Sequence, residues 1–104
     1  MAENPTKIDR KPNYLRFDDG KENFDASRIK GGFEVRFESR IRDAYFTISL
    51  PEANRFAELI SGKSRIGLLT ALEVYILRHG TEYLPQLFDE HFERSYTWVS
   101  TRWD

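Results

Sequence analysis

Residues 33–38 alternate strictly: Phe33, Val35 and Phe37 are separated by Glu34, Arg36 and Glu38. A period of two places one side of a strand in a core and the other in water. After a polar stretch, Phe46, Ile48 and Leu50 alternate in the same way with Tyr45, Thr47 and Ser49. The two runs predict an antiparallel hairpin over 33–39 and 44–50, so whatever else the chain does, it must cover one face of a sheet.

The sequence after the hairpin supplies that cover. Ser49 is placed to cap a helix with Pro51 in its first turn, where a missing N–H is harmless, and with Phe56, Leu59 and Ile60 as its stripe. Gly62 ends it. Ser64 is a second candidate cap, for a helix over 65–79 that Gly80 stops and that only Thr70, Glu73 and Arg78 clearly interrupt with polarity. A helix apolar nearly all round is either central in the core or buried at a subunit interface. Thr81 opens a third helix, with Pro85 in its first turn and Leu84, Leu87, Phe88, His91 and Phe92 on one face. The segment 96–103, rich in aromatic and β-branched residues, reads as a last strand.

Upstream, Tyr14-Leu15-Arg16-Phe17 is a short strand stopped by Asp18-Asp19-Gly20. Residues 20–32 read as a loop or irregular strand closed by Gly31-Gly32. Residues 1–12 contain little to bury and read as a flexible N-terminal arm preceding a single domain over 13–104. Strands, then helices, then a strand give an α+β class, a small antiparallel sheet with about three helices packed on one face.

The 104 residues suit one hydrophobic core. The absence of cysteine excludes disulfides, thiolate metal sites and cysteine nucleophiles, and fits a reducing compartment. No apolar run is long enough to span a bilayer, and the first residues lack the basic start and apolar centre of a signal peptide, so a cytoplasmic location is expected, or a nuclear one. Net charge is −1, which provides no global field for nucleic acid. Its distribution is uneven: ten Lys/Arg against eight Asp/Glu up to Arg42, then six against nine, a balance of +2 followed by −3.

No constellation for catalysis is present, and no enzyme activity or cofactor is expected. Asp18 and Asp19 sit in a turn, and Asp89, Glu90 and Glu93 on the polar side of a helix, where solvation explains them. His79 and His91, the only two histidines, match no zinc spacing. Gly62-Lys63-Ser64 has the last three residues of a phosphate-cradling loop without its upstream glycine.

The segment Thr47-Ile48-Ser49-Leu50-Pro51-Glu52, then Gly62-Lys63-Ser64-Arg65, then Leu69, Ala71-Leu72 and Tyr75-Ile76-Leu77 resembles the strand, helix, glycine turn and second helix of ribbon-helix-helix DNA-binding regulators, over about a third of the chain. The resemblance implies a homodimer whose paired strands enter the major groove, with Tyr45, Thr47 and Ser49 facing bases and Lys63, Ser64 and Arg65 facing phosphate. A wider reading uses Tyr45, Tyr96, Trp98 and Arg36 as a platform for unpaired bases, although Glu34 and Glu38 flank that arginine.

The competing class is a protein-interaction module, such as an inhibitor, immunity or accessory protein that covers a partner's surface. Near-neutral charge, the apolar second helix and the residue types of the C-terminal strand favour it, with Tyr75, Tyr96, Trp98 and Trp103 as interface candidates. Both readings make the chain a non-catalytic binding protein that self-associates.

Overall fold

A computed structural model describes residues 7–39, 43–92 and 96–99. The described residues form an antiparallel sheet with three helices, an α+β fold. Strands β1 (Lys7–Lys11), β2 (Tyr14–Asp18), β3 (Glu22–Ile29), β4 (Gly32–Ser39) and β5 (Asp43–Ser49) follow one another in the sheet as they do in the chain. Helices α1 (Leu50–Ser61), α2 (Leu68–His79) and α3 (Leu84–His91) come next, and β6 (Tyr96–Val99) returns beside β5.

The hairpin forms as its alternation dictates. Phe33 lies opposite Ile48, Val35 opposite Phe46 and Phe37 opposite Ala44, all buried. Pairing extends this inward face across the sheet, because Phe24 of β3 lies opposite both Phe17 and Phe37. Their rings are 5.1 and 4.8 Å from that of Phe24. Cross-strand aromatic neighbours of this kind stabilise a sheet beyond the area they bury.

The helices close over this face through phenylalanine. Phe88 of α3 lies within 6 Å of five other rings, those of Phe24, Phe37, Phe46, Phe56 and Phe92. Helix α1 contributes Ala53, Phe56 and Ala57 to the core, and α2 contributes Leu68, Leu69, Ala71, Leu72 and Ile76. Leu59, expected on the α1 stripe, is instead 61% exposed, and Ile60 is half-buried. On α2, Val74 and Leu77 point outward.

Four local expectations need correction. Lys7–Lys11, predicted to belong to a flexible arm, pairs with β2 over its whole length. Ile8 lies opposite Phe17, and Arg10 reaches α2, with Nε 3.4 Å from Oε1 of Glu73 and Nη2 donating to Thr70 Oγ1 at 3.1 Å. The rest of the predicted arm, 1–6, lies outside the described residues. Residues 22–29, predicted as loop or irregular strand, form the regular strand β3 with Phe24 and Ala26 inward. Helix α2 starts at Leu68 rather than at 65, because Arg65 takes a left-handed φ of 63° and Gly67 occupies the cap position. Helix α3 starts at Leu84, and Thr81, predicted to open it, is buried and bonded elsewhere.

Other signals translate directly. Ser49 accepts from the Glu52 N–H while Glu52 accepts from the Ser49 N–H, a complete capping box. Gly62 adopts φ 71° and closes α1, its N–H donating to Glu58 O. The first residue of α1 is also anchored to the β3–β4 turn, Leu50 N–H donating to Gly31 O at 2.9 Å.

Candidate functional site

The helices cover one face of the sheet, which leaves the opposite face to water. Pairing aligns Asp9, Arg16, Asp25, Arg36 and Tyr45 in one row across it. Each acid in that row faces a base, the arrangement that stabilises neighbouring strands. Burial nevertheless pushes the Asp25 carboxyl above its ordinary value, with Arg36 and Arg16 only partly offsetting it. Tyr45 is 55% exposed, and its hydroxyl donates to Glu34, which raises its own pKa. Outward-facing positions of β1 to β5 hold four basic side chains, Lys7, Lys11, Arg16 and Arg36. Against them stand six acidic ones: Asp9, Asp18, Asp25, Glu34, Glu38 and Asp43. This face is therefore net acidic and repels phosphate.

The residues expected to contact DNA are not brought together. Tyr45 and Thr47 lie on the outer sheet face, whereas Lys63, Ser64 and Arg65 are exposed in the loop joining α1 to α2, within the helical layer. The Ser49 hydroxyl is engaged in the cap of α1. Strand β5 has neighbours on both sides over Asp43–Phe46, β4 on one and β6 on the other. Tyr96 and Trp98 enter by backbone pairing, opposite Phe46 and Ala44. Trp103 lies outside the described residues.

Two residues assigned to different interfaces from sequence do converge. Lys63 and Tyr75 line one shallow groove between the end of α1 and the outer side of α2, together with Ile60, Ile66 and Val74. Arg78 and His79, in the last turn of α2, complete its rim. The His79 ring packs 4.8 Å from that of Tyr75. The groove exists because α2 starts late: residues 62–67 cross from one helix to the other as a loop, carrying Ile66 over the gap. Ile60, Ile66 and Val74 were missed as site residues. Ile60 and Val74 fall at the margin of an apolar stripe rather than at its centre, and Ile66 lies in the loop, on no stripe at all.

A second, larger cleft of about 430 Å³ is lined by Asp19, Lys21, Glu22, His79, Gly80, Thr81 and Glu82. Its size suits a small ligand, but its lining is almost wholly polar, unlike most ligand pockets. The Asp19 carboxylate is also engaged through both oxygens: one accepts the Lys21 and Glu22 N–H groups and the other the Thr81 hydroxyl. These bonds commit it to holding the turn and the α2–α3 connection together. Among the described residues no group of three or more potential ligands could hold a metal ion, and no helix is long and apolar enough to cross a membrane. Comparison of the chain with protein-family models, with curated proteins and with solved structures finds no match.

Proposed function

We propose that this chain is a non-catalytic, cytoplasmic binding module that recognises a protein partner through the groove between α1 and α2. The convergence of Lys63 and Tyr75 on an apolar floor carries this reading. A partly buried apolar floor within a polar rim is the composition of a protein contact surface. The groove measures about 60 Å³, far below the roughly 300–1,000 Å³ of small-molecule sites. That volume suits a single anchoring side chain from a macromolecule.

The joint exposure of Lys63, Ser64 and Arg65 supports a second reading, a DNA-binding regulator holding phosphate with that loop. It ranks lower because Tyr45 and Thr47 lie on the sheet face turned away from the helices, among more acids than bases.

Cross-linking in cells of the source organism with wild type, Val74→Asp and Tyr45→Ala separates the two. A protein partner captured by wild type and Tyr45→Ala but lost with Val74→Asp is expected, with circular dichroism showing all three folded. Salt-sensitive binding to duplex DNA, lost in Lys63→Ala/Arg65→Ala and accompanied by no protein partner, would replace this reading with the regulator.

A further inference from the structure

We infer that the groove takes an acidic peptide segment of the partner, with one apolar side chain seated between Ile66 and Val74 and carboxylates set against Lys63 and Arg78; this rests on the protein-binding reading above. Charge is the deciding observation. Three basic residue types, Lys63, Arg78 and His79, line the groove, and no carboxylate does. The acid of α2, Glu73, is drawn to the other side of its helix by Arg10 of β1, Nε to Oε1 3.4 Å. Asp19, Glu22 and Glu82 line the neighbouring cleft, which shares only His79 with the groove.

The chain as a whole has a net charge of −1, and its outer sheet face is net acidic. The groove thus carries a basic rim on a molecule whose outer sheet face is acidic. Complementary charge around an apolar contact steers encounter and selects among partners. Lys63 and Arg78 are both exposed, and among the described residues neither forms an ion pair. A bare phosphate would satisfy the rim but leave the floor wet. An acidic segment with an apolar anchor satisfies both. The volume of about 60 Å³ sets the number of anchors at one.

The test is fluorescence anisotropy of the full chain with three labelled synthetic peptides: a glutamate-rich peptide with one central leucine, the same peptide with lysine for each glutamate, and the glutamate peptide with serine for the leucine. Binding is expected for the first alone. The double variant Lys63→Glu/Arg78→Glu should weaken it about tenfold or more, the equivalent of about 1.4 kcal/mol for two rim charges. Val74→Asp should weaken it similarly, with unchanged circular dichroism.

Equal binding of the lysine peptide, or an unchanged affinity in Lys63→Glu/Arg78→Glu, overturns the inference. So does a dimeric mass by light scattering that Val74→Asp makes monomeric, since the occupant is then a second copy. If the glutamate–leucine peptide fails to bind while Val74→Asp still abolishes capture of the cellular partner, the acidic class is wrong and the protein-binding reading stands. If Val74→Asp retains that partner, the groove is not the contact surface and the reading itself falls.

Discussion

The Thr81 hydroxyl donates to Oδ2 of Asp19 at 2.6 Å, tying the β2–β3 turn to the α2–α3 connection across 62 residues of chain. Burial alone would push the Asp19 carboxyl up. The bonds from Thr81 and from the Glu22 and Lys21 N–H groups, with the nearby Lys21 charge, outweigh it and hold the carboxyl below its ordinary value.

A depressed folded-state pKa means that this carboxylate stabilises the fold above its unfolded-state value and ceases to do so as pH falls through the folded-state value. Thr81→Val should therefore cost about 1 kcal/mol near neutral pH, below the roughly 1.5–3 kcal/mol of a buried charge-assisted hydrogen bond because Asp19 is partly exposed. Urea titrations from pH 7 down to pH 2 should show the gap between wild type and variant closing at the acid end.

Gly32 permits a close approach. A Cβ there would lie 1.9 Å from the Ile48 carbonyl oxygen, so backbone rather than a flexible side chain would have to move. Gly32→Ala should destabilise the protein by about 2–3 kcal/mol, as overpacking does. Gly31 neighbours it with φ 83° and nothing near its Cβ position. Substitution there meets conformational strain instead of a clash, and denaturant midpoints of the two alanine variants measure the difference.

Two serines distinguish the sequence reading from the structure. Ser49→Ala removes one side of the α1 capping box and should cost about 1 kcal/mol. Ser64→Ala should change stability by less than about 0.5 kcal/mol, because an exposed loop serine that caps nothing carries little. Thermal unfolding of both variants checks the pair; equal losses would mean that α2 begins at Ser64.

Phe88→Ala deletes the ring on which the sheet and helices α1 and α3 converge. A loss of about 3–5 kcal/mol is expected, a large fraction of the roughly 5–15 kcal/mol that holds a domain folded. Phe88→Leu, retaining most of the volume, should remain folded at a lower melting temperature, with the near-ultraviolet aromatic signal reporting the change in packing.

The central hairpin, the Ser49 cap and the Gly62 stop were legible because each is a local rule satisfied by its own residues. Strand β1 was not. Lys-Ile-Asp-Arg-Lys offers one apolar side chain, and its pairing with β2 and the reach of Arg10 to Glu73 are tertiary facts. Strand β3 carried a diluted signal, since Ala26 is small and Arg28 occupies the next inward position, where its guanidinium lies 5.6 Å from the centre of the Phe33 ring. Thr81 satisfied the composition of a cap, but Asp19 competed for its hydroxyl and won. Of the site, Lys63 and Tyr75 were individually visible. Their convergence was not, because it depends on how far the chain travels between two helices before winding again.

The sequential strand order has a consequence for the chain as it is made. Strands β1 to β5 need only their immediate predecessors to pair, so the five-strand meander can assemble before any helix exists. The helices that cover it extend about 40 residues further, which at about 5–20 residues per second takes about 2–8 s of synthesis. A meander formed in that interval would present Leu15, Phe17, Phe24, Val35 and Phe37 as a bare apolar sheet. The face closes only when the segment that carries Phe56, Leu72 and Phe88 packs onto it.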